Sequence, residues 1–235
     1  MISIICSNYN SSEYIERYLG YLNAQTLENF ELIIIDANST DDSLEKIKRF
    51  GIRPNIRTTI LECSTRLGIY EAWNMGIEEA EYDYVMNYNV DDKLFPSALE
   101  ILAEAQVGHP DMDVIYSNCF ISDSVDHSTL DSQYKWADAN NIMNLLQIGC
   151  CCGPFPMLKR SSVLSAGGFD PSFPASGDYE MWCRMSTKGY KFLKLKTDLG
   201  VYYHNPKGVS TPQSHEAIKK QHEQDTRIRT MYMPK

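Results

Sequence analysis

The chain has 235 residues, of which 43% are hydrophobic, so it is long and apolar enough to bury a sizeable core. Its 31 acidic residues outnumber 22 basic ones and give a net charge of -9, which excludes a general nucleic-acid binder because no cationic surface is available to neutralise phosphates. A phosphorylated small molecule would need a local cation to settle against such a protein.

Cysteine usage and the absence of targeting signals bear on the compartment. The seven cysteines are an odd number without a CxxC pair, so they predict neither a disulfide framework nor a zinc site, and they fit a reducing environment. We recognise no signal peptide and no apolar run of membrane-spanning length. These features predict a cytoplasmic protein, with peripheral contact to the inner membrane face left open.

The first third of the chain alternates short apolar runs with polar loops and helical patterns. Apolar runs at 2–6, 31–36 and 58–61 predict strands, and apolar residues recur at helical spacing within 15–22, 44–50 and 69–80. Asn10 and Glu13 have the spacing of a capping box, which would place them at the start of the first helix. Successive strand, loop and helix units predict an α/β fold with a parallel sheet and right-handed crossovers.

Residues 84–92 predict a buried strand that ends in two carboxylates, Asp91 and Asp92. In open α/β sheets ligands bind just beyond the carboxyl ends of the strands, so this pair is placed to hold a hard divalent cation through oxygen atoms. The same acids could instead cap the helix that we expect to begin near Pro96. The stretch alone does not decide between the two interpretations.

The remaining patterns continue the alternation less regularly. They predict helices at 96–106, 140–148 and 178–188, strands at 112–116, 157–160 and 199–203, a polar loop at 122–132, and a polar helix at 213–231. Asp178 and Glu180 lie in the first turn of their helix, where the macrodipole favours acids for structural reasons alone.

Six stretches, taken together, resemble the family 2 glycosyltransferases in order and spacing. They are SIICSNYN at 3–10, IDANSTD at 35–41, GIYEAWNMGI at 68–77, NVDD at 89–92, GGFD at 167–170 and GDYEMW at 177–182. The resemblance implies a single-domain GT-A fold, a Rossmann-like and mostly parallel sheet flanked by helices. It divides the domain, residues 1–235, into a nucleotide-binding half at about 1–110, an acceptor-binding half at about 111–208 and a C-terminal helix at about 213–231.

The resemblance also implies an activity. The family transfers a sugar from a nucleotide-diphosphate donor, here a UDP-sugar by default, to an acceptor hydroxyl with inversion at the anomeric carbon. Similar bacterial enzymes extend surface polysaccharides, so the implied acceptor is a glycan or a lipid-linked saccharide. The oligomeric state is not implied.

The resemblance assigns the two central acids different roles. Asn89–Asp91 matches the family's D-x-D motif, so Asp91 would bind Mn²⁺ or Mg²⁺ on the donor diphosphate, and Asn89 would hydrogen-bond a ribose hydroxyl although the family usually has Asp there. Asp178 matches the catalytic acid and would act as general base, in preference to Glu180. Gly177 replaces a Glu found in many members.

Further residues match positions at which the family binds its donor. Ser7, Tyr9, Asp36 and Arg66 would contact the nucleotide, although Asp36 could also be a helix cap, as could Ser39 or Thr40. His204 follows the last predicted strand, where some enzymes of this fold place a further metal ligand. The other histidines, at 109, 127, 215 and 222, show no pattern that indicates a function.

Two alternative functions remain to be weighed. A sugar nucleotidyltransferase would have a Gly-rich, Arg-containing loop after the first strand, and residues 7–10 contain neither Gly nor Arg. A catalytically silent binding or scaffold module of the same fold is the stronger alternative, because Ala37, Asn89 and Gly177 depart from the family pattern.

Overall fold

The computed structural model describes residues 1–128, 130, 132–209 and 211–234. The strands among them are β1 (Ile2–Asn8), β2 (Glu31–Asp36), β3 (Arg57–Glu62), β4 (Tyr84–Asn87), β5 (Lys93–Leu94), β6 (Val114–Ser117), β7 (Cys119–Ser122), β8 (Ser132–Tyr134), β9 (Met157–Lys159), β10 (Phe192–Leu195) and β11 (Gly200–Tyr203). The helices are α1 (Ile15–Asn23), α2 (Ser43–Arg49), α3 (Ile69–Glu79), α4 (Ala98–Gly108), α5 (Ile142–Ile148), α6 (Arg160–Ala166), α7 (Gly177–Thr187) and α8 (His215–Tyr232).

A seven-stranded sheet in the order β10-β6-β9-β4-β1-β2-β3 forms the centre of the molecule. Its neighbouring strands run parallel, except that β9 runs antiparallel to both β4 and β6. Every residue of β2 and β4 is buried, as expected for strands covered by helices on both faces. The predicted α/β class with a mostly parallel sheet is confirmed.

The helices cover the two faces with separate apolar cores. Ile5 and Val85 face a core that includes Trp73 of α3, whereas Ile4 and Met86 face one that includes Tyr18 of α1. Helix α3 lies unusually close to the sheet at Gly76, where an added Cβ would come within 2.5 Å of Ile5. This tight packing aligns the start of α3 with the carboxyl ends of β1 and β4.

A second sheet, in the order β5-β11-β7-β8, was not predicted as a unit. Strand β11 pairs antiparallel with the two-residue β5 and parallel with β7, whose last residue, Ser122, begins the predicted polar loop. Such short strands carry too few residues to show a period of two. The sheet matters because β5 directly follows Asp92, so that the pairing brings the end of β11 to the central acids.

Local predictions failed at three further places. Helix α6 and strand β10 were missed, and Asn10 does not cap α1, which begins at Ile15. The Asn10 carboxamide oxygen instead accepts hydrogen bonds from Thr40 N at 2.7 Å and Asp41 N at 3.3 Å. The spacing of Asn10 and Glu13 correctly indicated a loop between β1 and α1. The Asn10 side chain, however, bonds to the loop after β2 rather than to the helix.

Within the described ranges, no helix combines the length and the apolar character needed to cross a bilayer. The helix α8 at the end of the chain is largely exposed, although Ile228 is fully buried against the body.

Candidate active site

Two adjoining cavities open at the carboxyl ends of the central strands. The first, here named the Asp91 pocket, has a volume of about 310 Å³ and is lined by Ser7, Tyr9, Arg66, Asn89 and Asp91, among others. The second, the Asp178 pocket, has a volume of about 370 Å³ and is lined by Tyr70, Trp73, Asn89, Cys150 and Asp178, among others. Because Asn89 lies in both walls, the structure brings the two predicted acids to neighbouring cavities.

The Asp91 pocket collects four of the residues predicted to bind the donor, together with the predicted metal ligand. Ser7 and Tyr9 come from the end of β1, and Arg66 comes from the segment before α3. The Arg66 guanidinium carbon lies 3.4 Å from the centroid of the Tyr9 ring, which is a close cation–π stack. The stack adds a flat surface and a positive charge to the wall of the same pocket.

The carboxylate of Asp91 is held by a residue from the far end of the fold. Asn205 lies just after β11, and its Nδ2 donates a hydrogen bond to Asp91 Oδ2 at 2.8 Å. Burial raises the pKa of Asp91 above its usual value, and the hydrogen bond from Asn205 opposes part of that shift. Asn205 was not identified from the sequence.

His127 also supports Asp91, although no pattern in the sequence points to it. His127 is 5% exposed, its Nε2 lies 3.0 Å from the backbone oxygen of Asp91, and its Nδ1 lies 3.2 Å from the Tyr21 hydroxyl. Burial lowers the pKa of His127 to about 4, so the ring is neutral at neutral pH and offers one donor and one acceptor. It fixes the peptide that carries the acid.

Asp92, the neighbour of Asp91, has a structural environment instead. It is 1% exposed, and its Oδ1 accepts a hydrogen bond from the backbone N–H of Tyr203 at 2.9 Å. Helix α4 begins at Ala98 after Ser97, so neither acid caps it. The structure therefore decides against the capping interpretation: one acid faces a pocket and the other joins two strands.

The metal-binding atoms that the protein provides near Asp91 suit a cation that is shared with a substrate. The described part of the chain contains no group of three or more His, Cys, Asp or Glu side chains arranged to hold a metal. A hard cation such as Mg²⁺ commonly takes one or two protein carboxylates and completes its coordination with substrate phosphates and water. Asp91 fits that mode of binding.

The structure does not place His204 in the wall of the Asp91 pocket. His204 lines the Asp178 pocket, and its Nδ1 lies 3.3 Å from Asp123 Oδ1. The role of His204 as a metal ligand stays a prediction.

Asp178 lies at the start of α7 with its two oxygens in different surroundings. Oδ1 accepts hydrogen bonds from the Tyr70 hydroxyl at 3.1 Å and from Tyr179 N at 2.8 Å. Oδ2 is contacted by the Cys150 thiol at 3.4 Å, which is a weak donor. Burial raises the pKa of the Asp178 carboxyl, and an oxygen with free lone pairs in such an environment is suited to accept a proton.

The same geometry explains why Gly occupies position 177. A Cβ added to Gly177 would come within 2.7 Å of Cε2 in the Tyr70 ring, so a larger side chain would displace the tyrosine. The Tyr70 ring takes that space and donates its hydroxyl to Asp178. The absence of a Glu at position 177 thus makes room for the tyrosine that hydrogen-bonds to Asp178.

Two other acids considered from the sequence lie elsewhere. Asp36 is buried outside both pocket walls, where its carboxylate accepts from Asn8 Nδ2 at 2.6 Å and from Ser39 N at 3.1 Å. Its role in donor binding stays a prediction. Glu180 is 2% exposed and pairs with Arg184 at 2.7 Å, so it is committed to an internal ion pair.

Comparison with known proteins identifies relatives among glycosyltransferases. The family model "Glycosyl transferase family 2" matches residues 3–165, more than half of the chain. Glycosyltransferase GlyG of Streptococcus pneumoniae serotype 4 is 32% identical over 126 residues, covering 54% of this chain and 41% of the relative. A PGL/p-HBAD biosynthesis glycosyltransferase of Mycobacterium bovis is 25% identical over 182 residues, covering 77% of this chain and 67% of the relative.

Solved structures share the fold at low sequence identity. S. aureus TarS 1-349 in complex with UDP-GlcNAc has a TM-score of 0.75 at 15% identity, covering 99% of this chain and 71% of that one. The mannosyltransferase PcManGT from Pyrobaculum calidifontis, in complex with GDP-Man and Mn²⁺, has a TM-score of 0.68 at 16% identity, covering 97% of this chain and 69% of that one. These similarities confirm the GT-A fold expected from the motifs.

The family match ends at residue 165, before Asp178, so the assignment of the second acid depends on geometry and on the sequence resemblance rather than on the matched region. The matched region does include the strand ends that build the Asp91 pocket. The fold, the family match and the curated relatives agree, and the chain belongs to glycosyl transferase family 2.

Proposed function

We propose that the protein is an inverting glycosyltransferase that moves a sugar from a nucleotide-diphosphate donor to a hydroxyl group of a glycan or lipid-linked saccharide, in the synthesis of cell-surface polysaccharide. The observation that carries the proposal is the position of Asp91 and Asp178 in adjoining pockets that share Asn89. Such a reaction needs one site for the departing diphosphate and another for the incoming alcohol. We assign the diphosphate to the Asp91 pocket, and the transferred sugar and the incoming alcohol to the Asp178 pocket.

The Asp91 pocket is proposed to hold the nucleoside diphosphate. Asp91 would bind Mn²⁺ or Mg²⁺ together with the diphosphate, and the cation, when bound, would screen the phosphates and stabilise the leaving group. The stacked pair of Tyr9 and Arg66 is suited to contact the base and the phosphates, while Ser7 and Asn89 offer hydrogen bonds to the ribose. The GDP-mannose and Mn²⁺ bound by one structural relative support a divalent cation here.

Asp178 is proposed to be the general base. Its Oδ2 takes the proton of the acceptor hydroxyl while that oxygen attacks the anomeric carbon from the face opposite the diphosphate. One carbon–oxygen bond forms, the bond from the anomeric carbon to the phosphate oxygen breaks, and the electron pair leaves with the nucleoside diphosphate. Attack from the opposite face inverts the anomeric configuration.

The relatives support a class of donor substrate, without naming the individual sugar. UDP-GlcNAc and GDP-mannose occupy two structural relatives, which supports a nucleotide-sugar donor and keeps uridine as the default base. The mycobacterial relative is named for PGL/p-HBAD biosynthesis, and the glycan or lipid-linked acceptor is proposed from the motif resemblance. Because the chain spans 41% and 67% of the two relatives, the acceptor proposal concerns the reaction of this domain.

The test begins with binding and proceeds to turnover. Nucleoside diphosphates with and without Mn²⁺ are screened by thermal shift, where a bound ligand raises the Tm by mass action. UDP-sugars and GDP-mannose are then incubated with the wild type and with Asp178→Asn, and release of the nucleoside diphosphate is measured with water as acceptor. We expect a cation-dependent Tm increase in both proteins and release only by the wild type.

Two results would decide against the proposal. If no nucleoside diphosphate shifts the Tm, the Asp91 pocket is not a donor site. If a diphosphate binds but neither protein releases it from any donor, with or without an added mixture of lipid-linked saccharides, the domain is the silent binding module instead.

A further inference from the structure

Asn87, the last residue of β4, has an unusual environment for a buried amide. It is 3% exposed and lies in the wall of the Asp178 pocket. In the sheet it is paired with Ile5, and Val85, two residues before it on the same face of β4, belongs to the core against which α3 packs. The position is one where an apolar side chain would continue that core.

Neither polar atom of Asn87 has a hydrogen-bond partner among the described residues. A buried polar group without a partner destabilises the folded protein, and most such groups in proteins are paired. Asn74 gives a comparison within the same region: its carboxamide accepts from Phe169 N at 2.8 Å and donates to Phe169 O at 2.7 Å. Asn74 is structurally satisfied, whereas Asn87 is not.

Three further unpaired groups belong to the same cavity. The indole nitrogens of Trp73, Trp136 and Trp182 also lack partners among the described residues, and all three tryptophans line the Asp178 pocket. Three N–H donors and one carboxamide without partners among the described residues therefore occur around one cavity. Their shared location is best explained by a polar ligand that completes their hydrogen bonds.

The chemistry of these groups restricts the ligand. None of them carries a charge, so they suit a neutral ligand rather than a phosphate, which would go to the cation at Asp91 and to Arg66. A carboxamide presents one donor and one acceptor side by side, and two neighbouring hydroxyl groups of a sugar can accept from the first and donate to the second. The aromatic rings around it provide apolar surface, as in other ligand pockets with a few placed polar groups.

The chain connection between the two pockets indicates whether this ligand is the sugar of the donor or that of the acceptor. Strand β4 supplies Asn87, and the same segment continues to Asn89, which lies in both pockets, and to Asp91. In the proposed function the transferred sugar is bonded directly to the diphosphate at Asp91. The sugar must therefore occupy the adjoining cavity, on the side of Asn89 and Asn87.

We propose that Asn87 binds two neighbouring hydroxyl groups of the transferred sugar and thereby contributes to donor specificity, an inference that rests on the proposed function. The free protein keeps an unsatisfied amide for this contact. Replacing it with an apolar side chain of similar size should therefore weaken sugar binding without weakening the fold.

The experiment uses Asn87→Leu with Asn74→Leu as the matched control. Dissociation constants for UDP, GDP, UDP-GlcNAc, UDP-glucose, UDP-galactose and GDP-mannose are measured by calorimetry with Mn²⁺, and the Tm of each variant is recorded. For Asn87→Leu we expect the Kd of the preferred nucleotide sugar to rise about tenfold, from two lost hydrogen bonds, while the Kd of its nucleoside diphosphate changes less than about twofold. Its Tm should equal or exceed that of the wild type, whereas Asn74→Leu should lower the Tm.

A second measurement keeps the wild-type protein folded and changes the ligand. Donor analogues lacking single hydroxyl groups are bound to the wild type and to Asn87→Leu. If Asn87 contacts a hydroxyl group, removing that group from the sugar weakens binding to the wild type. The same removal has little additional effect in the variant, since the two changes remove the same interaction.

The outcomes separate the two proposals. If no nucleoside diphosphate binds, the proposed function fails. If nucleoside diphosphates bind normally but Asn87→Leu binds the nucleotide sugar as the wild type does, or if Asn87→Leu unfolds like Asn74→Leu and no deoxy analogue binds the wild type more weakly, the inference about Asn87 is wrong while the proposed function stands.

Discussion

The two pockets of this molecule are built in different ways. Most of the predicted residues in the Asp91 pocket follow the ends of β1 and β4, so the regular order of a parallel sheet brings them together, and Arg66 and Asn205 complete the wall from other segments. The Asp178 pocket adds α3, the segment around Cys150, α7 and β11 to the end of β4, and these come together through the packing of the whole chain. Sheet topology thus accounts for most of the predicted residues in the first pocket, whereas the second pocket is mainly a tertiary assembly.

This difference predicts how each pocket responds to substitution. Changes in the Asp91 pocket should alter binding of the nucleoside diphosphate, whereas changes to Asp178 and its hydrogen-bond partners should alter the chemical step. The expected effects below are ordered from the largest to the smallest.

Asp178→Asn should abolish most turnover while leaving donor binding intact. An amide cannot accept the proton of the acceptor hydroxyl, and loss of a general base typically costs about 10²–10⁴-fold in rate. Steady-state kinetics and the Kd of the nucleoside diphosphate measure the two effects separately. A Kd that rises as much as kcat falls would mean that Asp178 belongs to donor binding and would break the division between the pockets.

Asp91→Ala and Asp92→Ala should have opposite signatures although the residues are adjacent. We expect Asp91→Ala to weaken Mn²⁺-dependent nucleoside diphosphate binding at least about tenfold, because even residues that only support metal ligands have effects of that size. Asp92→Ala should instead reduce the free energy of unfolding by about 1–3 kcal/mol, because Tyr203 N loses its buried acceptor. Calorimetry and urea unfolding test the pair, and equal stability losses in both variants would contradict the assignment.

Tyr70→Phe should change the pH dependence of turnover. Burial already raises the pKa of Asp178 above its usual value, so activity that needs the carboxylate is present above that pKa and is lost as the pH falls through it. The Tyr70 hydroxyl stabilises the charged form through its hydrogen bond to Oδ1, and removing it raises the pKa further. The acid limb of the kcat/KM profile should therefore move to higher pH. An unchanged or lower acid limb would show that Tyr70 does not tune the base.

Arg66→Met should have the smallest effect, a loss of nucleoside diphosphate affinity of severalfold. The stack of Arg66 on Tyr9 contributes on the order of 0.5–1 kcal/mol at an exposed site, and the positive charge beside the phosphates is lost with it. Tyr9→Phe is the matched control, because it keeps the aromatic face and should bind nearly as well as the wild type. Calorimetry with Mn²⁺ checks both, and equal losses would mean that the Tyr9 hydroxyl, not the stack, matters.

The sequence was informative where a candidate site residue stands at the end of a single element. Asp91 could be identified because a buried strand stops abruptly in carboxylates, and the mostly parallel sheet could be predicted because strands and helices alternate. His127 and Asn205 could not be identified in this way. Each acts on Asp91 from a segment whose position depends on the second sheet, and an isolated His or Asn in a loop has no periodic signal.

The sequence by itself therefore determined the α/β class, the order of the family motifs and the acids that end strands or begin helices, because these depend on local periodicity and on neighbours along the chain. Only the tertiary structure decided that Asp91 faces a pocket while Asp92 joins β5 and β11, that the Tyr70 ring fills the space beside Gly177, and that Asn87 is buried with no hydrogen-bond partner in the described part of the chain. These properties depend on which distant segments pack against each side chain, and that choice is made by the burial of the whole core rather than by any stretch of sequence.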